Sequence, residues 1–117
     1  MTKSKINITQ AKYSIGDIVH HKLFDYRGVV VDIDPYFQLT DEWYEKVARS
    51  RPPKNEPWYH VLVHEAKNST YVAEQNLEAD SSGEKINHPM TDRLFAGFRN
   101  GHYINDEKVT SESLPRD

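Results

Sequence analysis

The sequence contains no cysteine, has no long apolar run and carries no excess of basic residues. Without cysteine, disulfide bonds, thiol catalysis and thiolate metal sites are excluded, and the composition fits a reducing cytoplasm. A membrane span needs roughly 20 consecutive apolar residues, and no segment supplies them. The formal net charge is −3. Binding to nucleic acid would therefore depend on a local basic patch, because phosphate neutralisation supplies most of the affinity of such binders.

The chain length indicates a single domain. A chain of 117 residues is long enough for one hydrophobic core and too short for two ordinary domains. Residues 1–12 are polar and lack the apolar stretch of a secretory signal, so we expect a flexible arm there. The ordered domain is expected over residues 13–104, and residues 105–117 are expected to form a flexible tail.

Alternating apolar residues predict a β-rich fold. The clearest case is the run from Tyr26 to Pro35, where Val29, Val31 and Ile33 alternate with less apolar residues. This period of two predicts that the three side chains face the core, and Gly28 marks a bulge or a close backbone approach. Further strands are predicted over residues 18–23, 57–65 and 70–74, the last two as a hairpin.

One helix is predicted between the second and third strands, from Thr40 to Ser50. Its first residue can cap the N-terminus, and acidic residues follow in the first turn, where the helix dipole favours anions. Leu39, Trp43 and Val47 form its apolar stripe. This helix is an insertion between strands and is not the centre of the fold.

The last ordered segment is predicted to contain a short amphipathic helix that includes Leu94, Phe95 and Phe98. Short strands at close spacing, with turns between them, favour a small barrel over a fold of alternating strands and helices. The expected class is therefore mainly β, with a helical insertion between strands and a short C-terminal helix.

The histidines and paired carboxylates do not form a recognisable metal site or catalytic motif. His60 and His64 share a strand face, but roughly 13 Å separates them, which is too far for one zinc ion. Asp32 and Asp34 also share a face, and such a pair of carboxylates usually marks a solvated strand end. An enzyme would require a deep polar pocket that holds Asp32, Asp34 and His60 together. We expect half-exposed strand histidines and no catalytic, cofactor-binding or metal-binding residue.

A group of basic and aromatic residues is the best candidate for a binding surface. Basic side chains with interleaved aromatics can hold nucleic acid. The alternative is that strand lysines only block aggregation and that the basic helix end only complements the dipole. The acidic net charge favours this alternative. The candidate residues for binding DNA or a partner are His20, His21, Lys22, Tyr26, Arg27, Arg49, Arg51 and Lys54.

Five segments of the chain match one known family in the same order. They are Ala11–His21, Arg27–Pro35, Pro57–Leu62, Thr70–Leu77 and His88–Pro89. Together they resemble the heat-shock protein HspQ family, which is also called the YccV-like or hemimethylated-DNA-binding domain. The similarity runs from residue 12 to residue 103.

The resemblance implies a small SH3-like β-barrel with a helical insertion, in a small bacterial cytoplasmic protein of the heat-shock response. It implies a non-enzymatic protein that modulates degradation of denatured or unstable proteins, including the replication initiator. The implied partners are the Lon protease, which it serves as a substrate and specificity-enhancing factor, and the substrates of Lon. The alternative is a DNA-binding domain that recognises hemimethylated DNA. Self-association as a trimer is also implied, whereas no catalytic residues come with the family.

Overall fold

The computed structural model describes residues 10–105, which are mainly β with two short α-helices. The expected class is therefore confirmed. Residues 1–9 of the predicted arm and residues 106–117 of the predicted tail lie outside the described residues. No helix of the described part is long and apolar enough to cross a membrane. The elements are β1 Ile18–His21, β2 Arg27–Asp34, α1 Asp41–Val47, β3 Trp58–Val63, β4 Ser69–Ala73, β5 Leu77–Ala79, α2 Thr91–Leu94, β6 Gly97–Arg99 and β7 His102–Ile104.

A five-stranded antiparallel sheet forms the centre of the domain, with the strand order β4-β3-β2-β1-β5. A 3-10 helix, Glu74–Asn76, carries the chain from the β4 edge to the β5 edge. β6 and β7 form a separate hairpin. Because β4 and β5 remain edges, the strand pairings within residues 10–105 do not close the sheet into a barrel.

A β-bulge in β2 decides which residues face each side of the sheet. The pairing of β2 with β3 skips Val31, which is the extra residue of the bulge. Side chains alternate along a strand, so the extra residue reverses their order beyond it. The bulge thereby places Val30 and Ile33 on one face, and Asp32 and Asp34 on the opposite face.

The prediction that Val29, Val31 and Ile33 share one buried face is therefore wrong. Val29 and Ile33 are buried, but they belong to clusters on opposite faces. Val31 is half-buried, and Val30 is completely buried. The close approach expected at Gly28 is confirmed: a Cβ at this position would contact the Val61 side chain and lie 2.6 Å from the Leu62 carbonyl oxygen.

The buried side chains of residues 10–105 form three clusters, two of them on the same face of the sheet. The first cluster covers one face and consists of Val19, Val30, Ile33, Tyr59, Val61, Val72 and Leu77. On the opposite face, the C-terminal segment covers one end of the strands with Ile86, Phe95 and Tyr103, packed on Ile18, Val29 and Leu62. α1 covers the other end with Tyr44 and Ala48, packed on Trp58 and Ala73. On β3, His60 lies between these two covered ends.

α1 begins where the sequence predicts and buries a different side than expected. The Thr40 hydroxyl accepts a hydrogen bond from the Trp43 amide at 3.1 Å, which confirms the predicted cap. The stripe that was predicted to be apolar is largely solvent-facing, because Leu39 is 40% exposed and Val47 is 49% exposed. Tyr44 is buried instead, and its hydroxyl donates to the Pro52 carbonyl oxygen at 2.7 Å.

The predicted amphipathic helix around Leu94, Phe95 and Phe98 is wrong beyond its first turn. α2 ends at Leu94, and Phe98 lies in β6. The reason is a two-residue hairpin turn, Asn100 and Gly101, in which both residues have positive φ (56° and 81°). An Asn-Gly pair is the preferred sequence for this turn, because both central residues must adopt left-handed backbone.

Candidate functional site

A groove of about 400 Å³ lies along the β4 edge of the sheet. Its lining includes residues of the connection between β1 and β2, α1 with its flanking residues, Trp58 and His60 of β3, and all five residues of β4. Its volume is in the range of small-ligand pockets. The groove therefore has room for side chains of a partner but not for a folded domain.

The groove gathers exposed apolar side chains. Among residues 10–105, the structure exposes seven large apolar side chains, and four of these line the groove. They are Leu23, Phe24, Leu39 and Val47. Single exposed apolar residues are ordinary, whereas a contiguous group marks an interaction surface.

β4 also presents unpaired backbone groups at this edge. The Glu74 amide donates to the Pro57 carbonyl oxygen at 3.0 Å. This bond, with the register of the two strands, shows which residues of β4 direct their backbone groups towards β3. Hydrogen bonds alternate along an antiparallel pair. The backbone N–H and C=O groups of Ser69, Tyr71 and Ala73 therefore point away from β3, towards the side where no strand of residues 10–105 pairs.

His21 is part of the groove lining and is buried, which contradicts the expectation of a half-exposed histidine. Its side chain stacks on Phe24, with ring centroids 4.7 Å apart. Its Nδ1 atom accepts the amides of Leu23 and Phe24, each at 3.1 Å. Burial lowers the pKa of His21, and the charge of His20 lowers it further. A neutral His21 thus holds the two apolar side chains of the β1–β2 connection in place.

His20, the neighbouring residue, is held by two carboxylates on the other side of β1. Its Nε2 atom lies 2.7 Å from Asp25 Oδ1, and its Nδ1 atom lies 2.7 Å from Glu78 Oε2. The hydrogen bond to Asp25, followed by the one to Glu78, raises the pKa of His20. The imidazole is therefore committed to partners within the chain.

Three further basic candidates are also paired within the chain. Arg27 Nε lies 3.1 Å from Asp80 Oδ1, and the same guanidinium donates to the Glu84 carbonyl oxygen. Arg51 Nη2 and Lys54 Nζ pair with acidic residues of α1 at 3.2 and 3.1 Å. These pairs reduce the positive charge that is available to an external phosphate group.

Three of the eight predicted binding residues line the groove. His21, Tyr26 and Arg49 line the groove. The Tyr26 hydroxyl is hydrogen-bonded to Thr70 of β4 at 2.7 Å. The other candidates, which do not line it, are His20, Lys22, Arg27, Arg51 and Lys54.

The exposed apolar residues of the groove were not among the predicted binding residues. Leu23 and Phe24 stand together in a short connection where polar residues are usual. These two residues and Val47 are the features of the sequence that could have indicated an apolar binding surface. The β4 edge could not be found in this way, because strand order is a property of the fold.

Asp32, Asp34 and His60 come together beside the groove. Asp34 Oδ2 accepts the Tyr71 hydroxyl at 2.6 Å and lies 3.3 Å from His60 Nε2. One ligand atom from each of Asp32, Asp34 and His60 lies within 4.8 Å of the others. Burial, with the hydrogen bond to Asp34, raises the pKa of Tyr71. Asp32 is exposed, and of the three residues only His60 lines the groove.

The protein is a small β domain. It has an antiparallel five-stranded sheet, an insertion helix and a groove along one edge of the sheet. A family model described as "Hemimethylated DNA-binding protein YccV like" matches residues 11–102. Because the match covers well over half of the chain, the protein belongs to the YccV-like family. This finding confirms the resemblance that the five sequence segments carry.

Proposed function

We propose that this chain is a non-enzymatic, cytoplasmic protein of the heat-shock response that binds extended apolar segments of denatured or unstable proteins. Through this binding it modulates their degradation by the Lon protease, as a substrate and specificity-enhancing factor, with the replication initiator among the affected proteins. The observation that carries the proposal is the apolar groove that runs beside the free edge of β4.

The free edge favours an extended polypeptide as the occupant. Ser69, Tyr71 and Ala73 offer backbone donors and acceptors that an added strand would satisfy. Side chains of such a strand would alternate between the two faces of the sheet, and Phe24 and Val47 of the groove lining offer apolar contacts beside it. Denatured proteins expose both extended backbone and apolar side chains, whereas native proteins bury them.

A fluorescence-anisotropy titration with a labelled, extended apolar peptide tests the groove. We expect Val47→Asp to weaken binding at least tenfold, since burying a large apolar side chain contributes about 1.5–3 kcal/mol. Leu94→Asp is the matched control, because Leu94 is also the last residue of a helix, is 43% exposed and lies outside the groove. Its affinity should stay within twofold of the unchanged protein.

A backbone-methylated peptide tests the strand edge separately. Methylating alternate amides of the same peptide removes the donors that would pair with β4, while every side chain is kept. We expect methylation in one register to abolish binding and methylation in the other register to have little effect. Equal binding of both methylated peptides would limit the interaction to side chains.

A degradation assay connects binding to proteolysis. Adding the protein to purified Lon should change the turnover of a denatured substrate, and the Val47→Asp variant should change it much less. The proposal fails if the unchanged protein neither binds apolar peptides nor alters turnover, or if both aspartate variants behave alike.

Binding to hemimethylated DNA is the second candidate function, and the description of the family favours it. Lys22 and Arg49 are exposed and, unlike Arg51 and Lys54, form no salt bridge within residues 10–105, so they are the candidates for contacting phosphate groups. We expect a salt-dependent preference for hemimethylated over fully methylated duplex, and charge reversal at both residues should weaken it. Negligible binding to both duplexes at low salt would remove this candidate.

Two further features belong to the same proposal. The SH3-like arrangement of the strands and a trimeric assembly are implied by family resemblance. Light scattering coupled to size-exclusion chromatography should give three times the mass of one chain, and a monomer at micromolar concentration would contradict the assembly.

A further inference from the structure

Three potential metal ligands converge on the face of the sheet opposite the first cluster. Asp32 and His60 are direct partners in the register of β2 and β3. Asp34 points to the same side because it lies two residues beyond Asp32, in the regularly paired part of β2 after the bulge. The ligand atoms of the three side chains all lie within 4.8 Å of one another.

The distance between Asp34 and His60 fits a shared ion. Around an ion with metal–ligand bonds of about 2.1 Å, neighbouring ligand atoms lie about 3.0–3.4 Å apart. Asp34 Oδ2 and His60 Nε2 are 3.3 Å apart, within this range. A charge-assisted hydrogen bond between the same groups would measure about 2.8 Å. Asp32, the third ligand, is exposed, and its Oδ1 atom accepts the Ile33 amide at 2.9 Å.

The surroundings of His20 differ from those of His60 and are those of an imidazole held by hydrogen bonds alone. It also has two carboxylate neighbours, but each lies 2.7 Å from a different ring nitrogen. The two nitrogens of one ring point in diverging directions, so these carboxylates cannot share an ion with the imidazole. At His60, Asp34 lies near the same nitrogen, Nε2, that would bind an ion.

Asp34 is held in position before any ion binds. The Tyr71 hydroxyl donates to Asp34 Oδ2 at 2.6 Å, and the Gln38 amide donates to the Tyr71 hydroxyl at 3.0 Å. Carboxylates that bind metals are typically oriented by such hydrogen bonds from outside the ligand set. Tyr71 thus acts as a positioning residue for Asp34.

We propose that Asp32, Asp34 and His60 bind a divalent transition-metal ion of the Mn²⁺ to Zn²⁺ series. One imidazole and two carboxylates suit these ions better than Ca²⁺ or Mg²⁺, which prefer oxygen ligands alone. Three protein ligands leave at least one coordination position for water. This inference goes beyond the proposed function, since it requires neither a polypeptide nor DNA.

Titration of the full chain with Co²⁺ and with Zn²⁺ tests the site. Co²⁺ bound at four or five positions absorbs visible light, and the absence of cysteine removes thiolate absorption from the spectrum. We expect one ion per chain by calorimetry and a rise in the unfolding temperature when Zn²⁺ is present. His60→Gln and Asp32→Asn should each weaken binding by at least tenfold.

His20→Gln is the matched control, because it removes an imidazole with two carboxylate neighbours that cannot converge on one ion. Its affinity for Zn²⁺ and its Co²⁺ spectrum should match those of the unchanged protein. Asp32 is exposed, so Asp32→Asn should keep the fold, which circular dichroism can check. The proposal is overturned if the unchanged protein binds neither ion, if Asp32→Asn and His60→Gln bind normally, or if His20→Gln loses binding equally.

Discussion

Replacing Gly28 with alanine tests how closely β2 approaches β3. The added methyl group would lie 2.6 Å from the Leu62 carbonyl oxygen and would also contact the Val61 side chain. The carbonyl belongs to the sheet backbone and cannot rotate away, so the two strands must separate locally.

The expected loss of stability follows from these contacts. Overpacking a well-packed core typically costs about 1–3 kcal/mol, and contact with backbone favours the upper half of that range. Alanine offsets about 0.5–1 kcal/mol of the loss by reducing the entropy of the unfolded chain. We therefore expect Gly28→Ala to lower the free energy of unfolding by about 2 kcal/mol, or to lower Tm by about 8–16 °C.

Urea unfolding followed by tryptophan fluorescence measures this change, because Trp58 is 1% exposed in the folded protein. Gly97→Ala is the control, since Gly97 also lies in a strand and a Cβ there would meet nothing within 4 Å. It should be neutral or slightly stabilising. The reasoning is refuted if Gly28→Ala unfolds within about 0.5 kcal/mol of the unchanged protein, or if both variants lose the same stability.

Three further predictions concern single side chains. In an NMR titration, His20 should titrate above the ordinary histidine pKa of 6.5 and His21 below it. The stabilisation from His20 is present below pH 6.5 and is lost as the pH rises through its raised pKa, whereas acidification below pH 6.5 destabilises the protein through His21. Thr40→Ala should cost about 1 kcal/mol in urea unfolding, because it removes the cap of α1. Tyr59→Phe should cost about 1.5–3 kcal/mol, since its buried hydroxyl donates to the Glu74 carboxylate at 2.6 Å.

Each of these predictions has a contrary outcome. Equal pKa values for His20 and His21 would contradict the different surroundings of the two rings. An unchanged urea midpoint for Thr40→Ala would mean that the cap is dispensable. A stability gain in Tyr59→Phe would mean that the hydrogen bond to Glu74 stabilises the protein by less than desolvation of the carboxylate costs.

The sequence predicts the local parts of this fold well, because their causes are local. Thr40 caps α1 as expected, and the alternation in residues 57–65 correctly separates Tyr59 from His60. The bulge at Val31 is different, since three consecutive valines fit either phase of the alternation. Only the pairing with β3 decides between the two phases.

The candidate site depends on contacts between distant parts of the chain, which local patterns do not reveal. Arg27 was predicted to be available for a partner, but it is paired with Asp80, 53 residues further along. As a metal ligand, His60 was compared only with His64 of its own strand, whereas its close neighbour is Asp34, 26 residues earlier. Composition identified the basic residues correctly and could not show which of them already have partners.

The extra residue in β2 makes the bulge a condition for the ligand set. If every residue of β2 paired regularly with β3, both aspartates would turn towards the first cluster and Ile33 away from it. A relative that lacks the residue at Val31 would pair without a bulge and still present both aspartates on the side of His60. Family members of either length can therefore hold an ion here, but those with the longer strand depend on the bulge to do so.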